Sequence, residues 1–112
     1  MIDVTIRMKV PADKRNEVLQ AISDLLAPIR NEQDCLSCHC YLDVEAEDVV
    51  IFEQEWKTNE ALATHLRSAH FKVLLGAMKL LLIEPEIKFN TIVAMEEGKT
   101  LAAFKTGGLA GL

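Results

Sequence analysis

Basic clusters, long apolar runs, paired cysteines and glycine-rich loops are all missing from this chain, and each absence removes a class of function. The net charge is −5 and no stretch concentrates Lys or Arg. The basic surface that phosphate backbones require is therefore absent, and nucleic acid is excluded as a partner. The longest apolar run, Val73 to Ile83, is interrupted by Gly76 and Lys79 and falls well short of the roughly 20 residues that cross a bilayer. No membrane partner is expected. The first ten residues, MIDVTIRMKV, alternate in polarity instead of forming the apolar core of a signal peptide. Three cysteines crowded between positions 35 and 40 are an odd number, no disulfide framework, and fit a reducing compartment. The expected location is cytoplasmic. Four of the five glycines fall at Gly98 or later, outside any strand-to-helix turn, so there is no phosphate-cradling loop.

What the chain does contain describes one ordinary globular domain. Its 112 residues are 50% apolar and 26% charged, enough to bury roughly two thirds of the unfolded surface without disulfide or metal. Ile2, Val4, Ile6, Met8 and Val10 alternate with polar residues, a strand ended by Pro11. Asp13 is placed to cap a helix with the inner stripe Val18, Ile22, Leu25 and Ile29. Pro28 should kink or end it, with irregular chain by about Asn31. Residues 35–46 alternate again, Leu36, Cys38, Cys40, Leu42 and Val44 on one face and Ser37, His39, Tyr41 and Asp43 on the other. An acidic turn, Glu45 to Asp48, returns the chain as the antiparallel strand Val49 to Trp56.

The only Trp and two of the three His share the next stretch, FEQEWKTNEALATHLRSAHF from Phe52 to Phe71. Phe52, Gln54 and Trp56 alternate with Glu53 and Glu55. Thr58 or Asn59 can cap a helix on which Leu62, His65, Leu66 and Ala69 share one face, so His65 points inward. A break near Ala69 and His70 follows. Phe71, Leu74, Leu75, Met78 and Leu82 then form a further helical stripe ending before Pro85, and Ile87 to Met95 alternates as a last strand. The order β-α-β-β-α-β predicts an α+β, ferredoxin-like antiparallel sheet with helices on one face.

His65 and His70 are the candidates for proton transfer, since imidazole titrates most readily near neutral pH. His65 would deprotonate a phenolic or enolic substrate lying between sheet and helices, with Trp56 as a flat wall for its ring. The competing assignment is a half-buried His bonded to a backbone carbonyl beside a Trp that is simply core. Glu53 and Glu55 share one side of their strand, where burial would raise a carboxyl pKa; a solvated edge or an ion pair between subunits is the plainer account. Cys35, Cys38, His39 and Cys40 are metal-ligand types, but strand alternation sends 38 and 40 to one face and 35 and 39 to the other. No metal site is expected.

The strand ending Glu53-Gln54-Glu55-Trp56, the capped helix with Ala61-Leu62 and then His65 nine residues after Trp56, and the turn Ser68-Ala69-His70-Phe71 resemble the antibiotic biosynthesis monooxygenase family, specifically its quinol monooxygenase-like members. The resemblance covers most of residues 1–95, taken as one domain, and leaves 96–112 as a tail that is partly disordered or laid on a partner subunit. It implies a dimeric α+β barrel, a homodimer formed through the sheet face. It also implies oxygenation of a small electron-rich aromatic, a quinol or anthrone, by molecular oxygen with no cofactor. His65 would be the catalytic base, and Trp56, Phe52, His70, Phe71 and Leu74 would contact the substrate. A haem-degrading branch of the same superfamily carries its axial His where this chain has Leu75, and Leu cannot bind iron. A non-catalytic small-molecule-binding or stress-response domain and a small-molecule isomerase share the fold and stand as alternatives.

Overall fold

Alternation in the first strand, β1 (Ile2–Lys9), buries Ile2, Val4, Ile6 and Met8 and leaves Arg7 and Lys9 to solvent. The computed structural model describes residues 1–93. After β1 come α1 (Arg15–Arg30), β2 (Cys35–Leu42), β3 (Val49–Trp56), α2 (Asn59–Leu66), α3 (Ala69–Met78) and β4 (Glu86–Thr91). The sheet runs β2-β3-β1-β4 and every pairing is antiparallel. This is the α+β ferredoxin-like arrangement the sequence predicts, with its second crossover divided into α2 and α3.

Register decides which side chains meet the helices. Ile2 pairs with Trp56, Val4 with Gln54, Ile6 with Phe52 and Met8 with Val50. These residues join the α1 stripe of Val18, Ile22, Leu25 and Ile29, together with Leu74 and Met78 of α3, in one buried cluster; Gln54 is the polar member of the set. The opposite face carries Asp3, Thr5 and Arg7 against Glu55, Glu53 and Ile51.

Several local boundaries differ from the sequence reading, each for an identifiable reason. Asp13 does not cap α1. Pro11, fixed at φ −56°, leads into a 3₁₀ turn over Ala12–Lys14 closed by a 2.9 Å bond from Lys14 N to Pro11 O. The helix then starts from Lys14 without a side-chain cap. Its end does match the reading: α1 stops at Arg30 and irregular chain begins at Asn31, and Pro28 in the last turn removes only its own amide, so Asn31 N still donates to Ala27 O. β2 stops at Leu42 and not at residue 46: Asp43 Oδ1 accepts from Glu45 N at 2.7 Å, an Asx turn that leaves Val44 fully exposed. A bulge between Cys35 and Ser37 makes Cys35 oppose Trp56 and Ser37 oppose Glu55. Cys35 therefore shares the helix-facing side with Cys38 and Cys40, and Leu36 is exposed.

The second helical region also breaks earlier than expected. Arg67 ends α2, and Ser68 caps α3 by accepting from Phe71 N at 3.2 Å. His70 thus belongs to the first turn of α3 and not to a loop. α3 ends at Met78, leaving Leu82 outside it and exposed. β4 spans Glu86–Thr91. Among the described residues β4 is an edge strand paired with β1 alone, and Ile87 and Phe89 are partly exposed on its helix side. Met95 and the tail from residue 96, including its apolar patch Leu101 to Phe104, lie outside the described residues.

Candidate functional site

Three rings and one carboxylate meet where β3 hands over to α2. Trp56 closes β3 on the inner face, and its Nε1–H donates to Gln54 Oε1 at 3.0 Å, two residues back along the same face. The chain then turns through Lys57, whose amide donates to Asp34 O at 2.9 Å. Thr58 Oγ1 accepts from Ala61 N at 3.1 Å and starts α2. Two helical turns later His65 arrives over Trp56, ring centroids 4.6 Å apart and planes 28° from parallel. Phe71, brought in by the Ser68 cap, meets His65 edge-on at 5.6 Å.

His65 is 1% exposed, deeper than the half-buried residue considered from sequence. Its partner is not a backbone carbonyl. Nδ1 lies 2.9 Å and 3.1 Å from the two carboxylate oxygens of Glu32. An ionised carboxylate only accepts, so Nδ1 carries the proton and, in the neutral ring, Nε2 carries the lone pair. That Nε2 is buried and has no partner among the described residues. His70 Nδ1 reaches the same Glu32 Oε2 at 3.2 Å from the rim, where it is partly exposed.

Glu32 is held in place by the turn after α1. Its amide donates to Ile29 O at 3.0 Å and its carbonyl accepts from Cys35 N at 3.2 Å. Asp34 completes the turn at φ +61°, a left-handed conformation that Asp tolerates better than most residues. Sequence reasoning missed Glu32, because nothing in a loop's spacing tells which helix its carboxylate reaches. Gln54 was visible as a polar residue between Phe52 and Trp56 on the apolar side of β3.

Of the substrate-contact candidates, Trp56, Phe71 and His70 surround the Glu32–His65 pair, while Phe52 and Leu74 are fully buried members of the core cluster. A cavity of about 250 Å³ opens beside the pair, lined by Glu32, Gln33, Asp34, Thr58, Glu60, Ala61 and Thr64. Trp56 and His65 do not line it; their own contact is closely packed.

The remaining candidates separate cleanly. His39 is exposed and its Nδ1 lies 3.4 Å from Arg30 Nη2, away from the inward cysteines. Burial pushes the Cys38 thiol up to about 12, the Cys35 thiol beside it adding to the effect, and burial also raises Cys40. Glu53 and Glu55 are joined on the outer face by Asp3, with carboxylate oxygens of all three within 4.8 Å of one another. Burial, then the charges of Asp3 and Glu55, raise Glu53 above its ordinary carboxyl range.

The sequence profile of the family described as antibiotic biosynthesis monooxygenase matches residues 1–75. The chain belongs to that family. It is 29% identical over 92 residues to an uncharacterized protein of Synechocystis sp., covering 81% of this chain and 63% of that protein, so it spans less than two thirds of this curated relative. A solved structure from Caulobacter crescentus CB15, provisionally named an antibiotic biosynthesis monooxygenase, is 26% identical with a TM-score of 0.76, covering 83% of this chain and 90% of that one. A Deinococcus radiodurans structure of the same provisional name superposes with a TM-score of 0.81 at 17% identity, covering 89% of this chain and all of the other, a likeness of fold. Among the described residues no helix is long and apolar enough to cross a membrane.

Proposed function

We propose that the protein is a cofactor-independent monooxygenase that oxidises a small electron-rich aromatic, of quinol or anthrone type, with molecular oxygen, and that His65 is its base. The observation that carries this reading is the buried Glu32–His65 pair, with Nδ1 tied to a carboxylate at 2.9 Å and Nε2 left without a partner among the described residues. A carboxylate behind an imidazole fixes the tautomer and stabilises the imidazolium formed when the far nitrogen takes a proton. Family membership and the provisional names of the structural neighbours support the reaction class.

The chemistry asks little else of the protein. Loss of a proton to His65 Nε2 leaves a delocalised anion that gives one electron to oxygen. The resulting radical and superoxide combine into a peroxide, which takes up the proton and loses water: the CH₂ of an anthrone and O₂ become C=O and H₂O, and a quinol with a free ring CH and O₂ become a hydroxyquinone and H₂O. Trp56, Phe71 and Leu74 hold the aromatic and keep bulk water out, His70 stands at the rim and Phe52 forms the floor. We further propose a homodimer that joins the sheet faces opposite the helices, where Ile51 pairs with Tyr41 among polar residues; a sedimentation mass near that of one chain at micromolar concentration would refute it.

A second reading has its own support. Trp56 rests directly on His65, the close packing of a core, which favours a binding domain without turnover. Oxygen uptake by the chelator-treated protein with hydroquinones and anthrones, run beside His65→Ala, separates the two. Uptake above the spontaneous rate that falls in the variant establishes the oxygenase. Product without oxygen consumption marks an isomerase, and no reaction across the panel leaves the binding domain.

A further inference from the structure

Three buried side-chain polar atoms have no partner among the described residues: His65 Nε2, Gln54 Nε2 and Ser37 Oγ. Ser37 pairs with Glu55 on the outer face of the sheet, but His65 and Gln54 both belong to the inner side and both touch Trp56. His65 covers the face of the indole, and Gln54 sits at its N–H edge. The Gln54 amide cannot be turned around. Trp Nε1–H only donates, so the atom 3.0 Å away must be the amide oxygen, and the NH₂ group points elsewhere. Gln54 is 1% exposed, and two N–H groups buried without an acceptor are costly in a protein interior. If satisfying the tryptophan were the only need, a side chain with an acceptor and no unspent donors would serve.

We propose that Gln54 is a substrate-binding residue whose side-chain N–H groups donate to the anionic oxygen of a deprotonated phenol or enol held against Trp56, the ring that Gln54 and His65 both touch. The inference rests on the function proposed above and names the ligand class of that site: a planar phenolate or enolate, bound preferentially to its neutral form. In the step it serves, the substrate O–H bond breaks, the proton passes to His65 Nε2, and the electron pair stays on oxygen, where the amide meets it. Nothing is oxidised until oxygen arrives. Trp56 holds the amide carbonyl and so aims the donors, a division of labour that a purely structural glutamine would not require.

Trp56 is the only tryptophan in the chain, so its fluorescence reports binding at this site directly. The probe is 4-nitrophenol at a pH where it is ionised, with 4-nitroanisole, its uncharged methyl ether, as the shape control. Gln54→Glu keeps the acceptor for Trp56 and replaces the donors by a repelling carboxylate oxygen, and Gln54→Met removes donor and acceptor at similar volume. The wild-type protein is expected to bind the phenolate more tightly than the ether, and both variants to lose at least about tenfold in phenolate affinity, the scale of a hydrogen bond to a charged group. Their affinity for the ether should stay within about twofold. Should Gln54→Glu not fold, Gln54→Met alone decides. Wild-type binding of the phenolate with unchanged affinity in the folded variants would overturn the role of Gln54 and leave the oxygenase reading standing. No binding of either probe by the wild type would overturn the Gln54 role with its site, and oxygen uptake by that same preparation would show whether the reaction class falls too.

Discussion

Glu32 and His65 are 33 positions apart in the sequence and 2.9 Å apart in the fold. One carboxylate, reaching also to His70 at 3.2 Å, ties the turn after α1 to both α2 and α3. The same contact sets the direction of the imidazole, since the nitrogen facing Glu32 must donate and the other is left to accept. A structural tie and a chemical orientation therefore share one side chain, and they separate on substitution.

Glu32→Gln keeps an oxygen for His65 Nδ1 but removes the charge that would balance an imidazolium. Its expected effect is a fall in turnover on the order of a hundredfold, within the range general base catalysis supplies, with a small change in stability. Glu32→Ala leaves the buried Nδ1 without a partner and should lower unfolding free energy by about 1–3 kcal/mol. Urea denaturation and oxygen uptake on both variants check the pair. Equal losses of stability with no difference in turnover would reduce Glu32 to a tie.

Ser68 and Thr58 place the ring cluster through their caps. Ser68→Ala removes the acceptor for Phe71 N and Thr58→Ala that for Ala61 N; each is expected to destabilise by about 1 kcal/mol. Ser68→Asp should recover the loss at the start of α3, because a carboxylate accepts the same bond and suits the helix N-terminus. Thermal melts of the three variants suffice, and an unchanged Ser68→Ala melting point would rule out the cap as what sets α3.

Most of the fold was legible because its signals are local and periodic. Alternation at Ile2 to Val10 and at Phe52 to Trp56 gives strand faces, and the 18, 22, 25, 29 stripe gives α1. What escaped has its cause in short-range geometry or long-range contact. The Asx turn at Asp43 and the bulge after Cys35 each shift a strand without changing its composition, and the bulge reverses the face on which Cys35 falls. At the site, His65 could be read as inward from helical spacing and Trp56 from strand spacing. Their carboxylate partner could not, because Glu32 reaches them only through tertiary folding.

The outer-face carboxylates make a pH prediction. Burial, and then the charges of Asp3 and Glu55, hold the Glu53 pKa above its ordinary 4.5. The folded state therefore keeps the proton more readily than the unfolded one, and this favours folding fully below 4.5 and is lost as pH rises through the folded value. At neutral pH the ionised Glu53 is a liability, so Glu53→Gln should raise the melting temperature there. The gain should shrink as pH falls and vanish below 4.5. A melting difference independent of pH would show that the charge cluster is not its source.

Cys38 titrates at the other end of the scale with the same sign. It has no exposed surface, and burial, aided by the Cys35 thiol and opposed by Arg30, pushes its pKa from 9.0 to about 12. Below pH 9 both folded and unfolded chains hold the thiol proton; between 9 and about 12 the unfolded chain releases it and the native one does not, so stability declines across that interval. Cys35 and Cys40 are raised as well, and Cys38→Ala should flatten the alkaline limb only in part. The same shift protects the thiol chemically. Well below pH 9 the thiolate fraction at Cys38 is therefore much lower in the native protein than in the unfolded chain, and iodoacetamide should reach it last of the three. Mass spectrometry of timed alkylation, with and without urea, reads this directly. Modification of Cys38 as fast as Cys35 in the native protein would mean that the sheet opens around it, since only an opened β2 exposes that side chain.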